Sequence, residues 1–204
     1  MTDSAVVARD GVGVGRGEAR EQAILLAAFQ LLAEIGYERL TMDAVAVRAR
    51  ASKATIYRRW PGKPELIAAA LRLYAAADTV QFKETGSLRG DLLAMLHGLR
   101  DKFHRQDCAI YSGLIRAMQT DAELARIIRA QVADNKRKIG ELLSERAIAR
   151  GESPPDLEII REIAPAQMLI RLLITGEPVE DDYLVHLVDE IVLPLLARKL
   201  RVSI

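Results

Sequence analysis

Residues 36–66 read GYERLTMDAVAVRARASKATIYRRWPGKPEL, and from position 48 to 63 six basic side chains occur with no acid among them. Two short apolar-periodic segments lie within this stretch. The first opens at Thr41, a residue type that caps helix N-termini, and sets Met42, Val45 and Ala46 on one face at helical spacing. The second opens at Ser52 and turns Ile56 and Trp60 inward, leaving Lys53, Ala54, Thr55, Tyr57, Arg58 and Arg59 on its flanks and outer face. Two helices of about two turns each, joined by a tight link, form a helix-turn-helix whose second helix can enter a DNA major groove.

Chemistry assigns the outer residues. Thr41, at the start of the first helix, and Lys63, just past the second, are expected to grip phosphates on either side of the groove, with the Tyr57 hydroxyl adding a third contact. Lys53, Ala54 and Thr55 face the bases, where lysine suits guanine O6 and N7 and the Ala or Thr methyl suits a thymine methyl. Arg58 suits either task, and Arg50, Ser52 and Arg59 complete the surface.

Gly36-Tyr37, Leu40-Thr41-Met42, Val45-Ala46, Ala49, Ala51-Ser52, Ile56-Tyr57, Trp60, Lys63 and Glu65-Leu66 together resemble the TetR family of one-component transcriptional repressors. The likeness spans roughly residues 20–68. It implies that a first helix packs across the two that follow, and Leu25, Phe29, Leu32, Tyr37, Leu40, Val45, Ile56 and Trp60 would fill the resulting core. Where the family usually has glycine in the turn, this chain has Arg50. Arg50 must accept a left-handed backbone at a cost of about 1 kcal/mol, or the turn must close differently. It could also add a phosphate contact.

The charge distribution agrees. The 204-residue chain has a net charge of only +1, but residues 16–63 carry nine basic and five acidic side chains, whereas residues 64–204 carry 19 and 21. A basic head on a slightly acidic body concentrates the phosphate-attracting field at the helix-turn-helix. The lone cysteine, Cys108, excludes an internal disulfide and suits a reducing cytoplasm. No apolar run approaches a membrane span, and the N-terminus lacks the pattern of a signal peptide. The expectation is a soluble, cytoplasmic protein with no membrane partner.

In chain order, residues 1–17 read as a flexible arm in which Arg9 and Arg16 could brush a minor groove. The resemblance implies a DNA-binding domain over residues 18–63 and an effector-binding and dimerisation domain over residues 64–204. A helical stripe over residues 18–35 ends at Gly36, and a linker helix follows the Pro61-Gly62 break. Ser87 caps a further helix, Asp107 begins another, and residues 120–123 read as a capping box for a long one. Gly151 and Gly176 stop two of the later helices. The chain is thus all-α, with no convincing strand alternation, and the resemblance implies about nine helices.

The last two helices are apolar on more than one face. Ile159, Ile163, Ala166, Ile170 and Leu173 make one stripe, and Ile160, Ala164, Met168 and Leu172 another. In the final helix Leu184, Leu187, Val188, Ile191 and Leu195 make one, with Val185, Val192 and Leu196 on another flank. A surface helix needs one such stripe, so the excess asks for a second surface. The resemblance implies a four-helix dimer interface, for which the stripes of Ile159 and Leu184 are the candidates. A twofold dimer would match a palindromic operator on double-stranded DNA. It also implies a small-molecule effector bound inside the body, where Met95, Leu99, Phe103, Tyr111, Ile115, Met118, Met168 and Leu172 are candidate lining residues for a mostly apolar ligand.

Other chemistry is thinly represented. His104 and Cys108 stand at a spacing that can clamp a metal, but two ligands are too few for a closed site; no metal and no cofactor are expected. No nucleophile elbow, phosphate loop, zinc-binding HExxH or paired-carboxylate constellation occurs, and the glycines of residues 11–17 follow no strand, so an enzyme is not expected. Two alternatives stay open: a helical nucleoid-type protein that binds DNA without an effector, and a metal or redox sensor working through His104 and Cys108.

Overall fold

The computed structural model describes residues 16–75, 82–105 and 108–196. Over these residues the regular structure is all helical: α1 (Arg16–Arg39), α2 (Met42–Arg48), α3 (Lys53–Tyr57), α4 (Lys63–Ala75), α5 (Leu88–Arg105), α6 (Cys108–Thr120), α7 (Ala122–Ala149), α8 (Leu157–Ile170) and α9 (Asp181–His186). Helix α8 continues through a π-helical turn at Arg171–Thr175, and α9 through another at Leu187–Val192. Nine helices are therefore present among the described residues.

Periodicity explains the first of them. Ile24, Ala27, Ala28 and Leu31 fall on one stripe of α1 and are buried, together with Leu25 and Leu32. Helical geometry breaks at Gly36 (φ 75°, ψ 168°), a backbone only glycine adopts without strain, and one further turn reaches Arg39. Of the eight residues expected in the head core, seven are buried and Phe29 packs against it half-buried.

That core is larger than the head. It continues through Leu66, Ile67 and Ala70 of α4 to Ile110, Leu114 and Ala117 of α6 and Leu124 and Ile128 of α7. Each leucine or isoleucine among them is worth about 1.5–3 kcal/mol when fully removed from water, so the head is fastened to the body's first helices through a shared core. A second core joins Leu92, Met95 and Leu96 of α5, Leu143 of α7, Ile160, Ala164 and Met168 of α8, and Leu184, Leu187 and Val188 at the last helix. Helix α7, 28 residues long and so about 42 Å, contributes to both cores and ties them together.

Its cap differs from the expected one. Asp121, not Thr120, is the N-cap, accepting from Leu124 N at 2.9 Å. Thr120 still belongs to α6 and turns its hydroxyl back to Ala117 O (3.1 Å), while Glu123 pairs with Arg126. Aspartate caps at least as well as threonine and stands one residue nearer the helix.

Candidate nucleic-acid interface

The helix-turn-helix is built from two side-chain caps and one strained residue. Thr41 Oγ1 accepts from Ala44 N (3.1 Å) to start α2, and Ser52 Oγ accepts from Thr55 N (3.2 Å) to start α3. Met42, Val45 and Ala46 of α2, with Ile56 and Trp60 from α3 and the turn after it, are buried as their spacing predicts. Between the helices, Arg50 N bonds Val47 O and Ala51 N bonds Ala46 O, the paired closure of a Schellman turn, which requires a left-handed residue. Arg50 supplies it at φ 48°, the one non-glycine with positive φ among the described residues. The turn thus keeps the usual path and bears the strain. Arg50→Gly is expected to stabilise the protein by about 0.5–1 kcal/mol, read as a higher midpoint in urea melts.

The outer face is polar and basic, as expected. Lys53, Ala54, Tyr57, Arg58 and Arg59 are exposed. Thr55 is half-buried, its hydroxyl within 2.8 Å of Ser52 Oγ, so it serves the cap as well as the surface. Helix α3 is only five residues long, extended one turn by Arg59 N and Trp60 N bonding Ile56 O.

Most of the basic side chains already hold partners. Arg48 forks onto Glu34 (2.5 and 2.7 Å), Lys53 pairs with Asp43 (2.7 Å), and Arg59 pairs with Glu21. Hydrogen bonding to Asp43 holds the Lys53 ammonium above the usual lysine range. Arg20 donates to Arg50 O (3.0 Å), pinning α1 to the turn. Among the described residues Arg58 has no such acid.

Lys63 sits differently from its expected position. It is half-buried, donates to Tyr37 O (3.0 Å) and lies 4.1 Å from the centroid of the Tyr37 ring. Tyr37 in turn donates through its hydroxyl to Asp121 (2.5 Å), the cap of α7. Burial, and then that hydrogen bond, push the phenol upward; the Leu124 amide and then Tyr37 hold the Asp121 carboxyl below its ordinary value. The corner between α1 and α2, the start of α4 and the start of α7 therefore meet at one aromatic ring.

In the body, Met95, Leu99, Met168 and Leu172 come together in the second core. The other effector candidates do not join them. Met118 packs against the first core, Ile115 is 52% exposed on α6, Tyr111 is half-buried on the same helix, and the Phe103 side chain lies outside the described residues. Of the dimer stripe on α8, Ala166 and Ile170 are exposed and Ile163 is half-buried, with Ile174 of the π-helical turn 78% exposed beyond them. Ile159 and Leu173 side chains lie outside the described set.

The final helix departs from the expectation: Leu184, Leu187 and Val188 are fully buried within the protomer, and Ile191 and Leu195 are half-buried. Of the other flank, Val192 and Leu196 are buried in the same core and Val185 is exposed, so the protomer itself covers most of both stripes. Residues 1–15 and the side chains of Arg16, His104 and Cys108 lie outside the described residues; among those described, no group of three or more His, Cys, Asp or Glu could hold a metal. No described helix is long and apolar enough to cross a membrane.

Known proteins share this arrangement. Residues 24–70 match the family model for bacterial regulatory proteins of the tetR family, and residues 82–191 match the tetracyclin repressor-like C-terminal domain. The chain belongs to the TetR family. A DNA-binding transcriptional repressor TetR of Mycobacteroides abscessus is 41% identical over 185 residues, covering 90% of this chain and 97% of that protein. An uncharacterised HTH-type transcriptional regulator of Mycobacterium tuberculosis is 34% identical over 88% of this chain and 89% of its own length. The solved structure of the TetR family transcription regulator SCO0332 superposes with a TM-score of 0.63 at 32% identity, over 86% of this chain and 97% of that one.

This TetR-family protein is thus a DNA-binding transcriptional regulator, with α2 and α3 as its helix-turn-helix. The outward residues of α3 were legible in the sequence, but the acids that hold the basic side chains, Asp43 for Lys53, Glu21 for Arg59 and Glu34 for Arg48 of α2, were not, nor was Asp121 beneath Tyr37. The pairs join positions 10 to 84 residues apart, where helical periodicity carries no signal.

Proposed function

We propose that the protein is a repressor that binds a palindromic operator as a homodimer and is released by a small, mostly apolar molecule. The observation that carries this reading is the capped, outward-facing α3, with Lys53, Ala54, Tyr57 and Arg58 exposed on a buried Ile56 and Trp60 base. The relative named a DNA-binding transcriptional repressor supports the sign of the regulation. The apolar face of Ala166, Ile170 and Ile174 supports pairing through α8, and the cluster of Met95, Leu99, Met168 and Leu172 supports an apolar effector. Release requires the effector to bind the DNA-incompetent state more tightly, since equal affinity for both states shifts nothing. Thr41 and Ser52 present helix N-termini to phosphate, and Lys63 acts by fixing the start of α4 against Tyr37.

The test starts from a randomised pool of duplex DNA, from which the protein is expected to enrich a palindrome. Lys53→Ala should then lose about 1–3 kcal/mol on that duplex and relax the preference at one base pair per half-site. Arg58→Ala should weaken enriched and scrambled duplexes alike and reduce the salt slope by about 1 per half-site. Failure to enrich any sequence, or parental binding by both variants, would overturn the proposed docking.

A further inference from the structure

The carboxylate of Asp43 is out of place on a surface that must approach phosphates. It stands in the first turn of α2, two residues after the Thr41 cap, and reaches across to α3 to meet Lys53 Nζ at 2.7 Å. Both side chains are largely exposed, at 62% and 60%, so neither is there to satisfy a buried group. An exposed ion pair of this kind contributes little to folding, and a lone negative charge on a DNA-binding face repels the backbone. Lys53 is the first residue of α3.

We infer that Asp43 is a specificity-determining residue: it holds the Lys53 ammonium away from phosphates and aims it at the edge of a G·C pair. Lysine on a flexible stem binds phosphate as a point charge, equally well on any sequence. A carboxylate bonded to one of its three protons fixes the remaining two and repels any phosphate that would compete for them. In the major groove guanine offers two adjacent acceptors, N7 and O6, while its cytosine offers an amino donor. The Lys53–Asp43 pair has the complementary order, donors on the lysine and acceptors on the aspartate. Arg59, past the end of α3, also pairs with an acid, but its partner Glu21 lies on α1, away from the first turn of α3. The inference rests on the docking proposed above.

The experiment compares the parent, Asp43→Ala and Asp43→Glu on two probes: the duplex enriched from a random pool by the parent, and a scrambled duplex of the same composition. Freed Lys53 should find one more phosphate per protomer on any DNA. For Asp43→Ala, affinity for the scrambled duplex should rise roughly fivefold per protomer at 0.15 M salt, with a salt slope steeper by about 0.9. Affinity for the enriched duplex should not rise in step, so the ratio between the probes falls about fivefold or more. Asp43→Glu, which can still reach Lys53, should restore most of the ratio. In a Lys53→Ala background, removing Asp43 should leave the ratio where it was. Melting curves of each variant check that α2 is intact.

The inference is overturned if both affinities rise by the same factor, if neither moves, or if the ratio still falls when Lys53 is absent. Should the parent enrich no duplex, the docking fails first, and that outcome is separate from an unchanged ratio on an enriched one.

Discussion

Replacing Asp91 by alanine is expected to destabilise the protein by about 3–5 kcal/mol, the usual cost of breaking a buried ion pair from one side. Asp91 is fully buried on α5. It accepts from Thr85 N and Thr85 Oγ1 (both 3.0 Å), from Arg150 (3.0 Å) and from Arg146 (3.3 Å). Arg146 also donates to Phe82 O (2.8 Å) and stacks on the Phe82 ring at 4.7 Å. One carboxylate therefore fastens residues 82–87 to the far end of α7. The alanine variant takes one acceptor from Arg146, Arg150 and Thr85, leaving Arg146 on Phe82 O and Arg150 on Glu152, and its melting temperature should fall by about 6–20 °C. A fall of less than 2 °C would refute the assignment. Gly90 belongs to the same arrangement, because a Cβ there would stand 2.2 Å from Thr85 Oγ1, and Gly90→Ala should displace Thr85 from Asp91.

The same group predicts an acid response. Burial pushes the Asp91 carboxyl upward, but its hydrogen bonds to Thr85 and Arg150 and the charge of Arg146 outweigh that and hold it below the ordinary value of 3.8. A carboxyl depressed in the folded state stabilises fully above its unfolded pKa, and the contribution disappears as pH falls through the folded value. Between pH 5 and the acid transition, Asp91→Asn should therefore lose less stability than the parent, as urea melts across that range would reveal.

On the proposed pairing through α8, Ile170→Glu combined with Ile174→Glu is expected to leave a monomer and to cut operator affinity by about 10²- to 10⁴-fold, the usual gain from linking two weak sites. Ile174 is 78% exposed and Ile170 48% exposed in the protomer, so glutamate at either position meets water rather than core. Light scattering reads the mass directly. Protomer stability should hold, since neither side chain belongs to a buried cluster. A variant that stays dimeric with parental affinity would show that α8 is not the pairing surface.

How much was legible in the sequence depends on the distance over which each feature acts. Met42, Val45, Ala46, Ile56 and Trp60 were readable because a helix repeats every 3.6 residues or so and each has one buried face. The helix stops at Gly36, Gly151 and Gly176 were readable because all three take left-handed backbone. The final helix was not, because Leu184 and Val188 of one stripe and Val192 and Leu196 of the other all enter the second core, and periodicity cannot say that one protomer covers both. The effector candidates scatter for a similar reason: Ile115 and Met118 share the apolar pattern of α6, yet one faces out and the other packs under the head. The Asp43–Lys53 and Tyr37–Asp121 contacts depend on how helices are packed, which no local pattern encodes.

The central claim is that two copies of α3 read DNA from one face, about one helical turn or 34 Å apart. The most direct measurement inserts five base pairs between the half-sites of the enriched duplex. That insertion rotates one half-site to the opposite side of the helix, so operator affinity should drop by about 10²- to 10⁴-fold to the level of a single half-site. Unchanged affinity for the lengthened duplex would contradict the account.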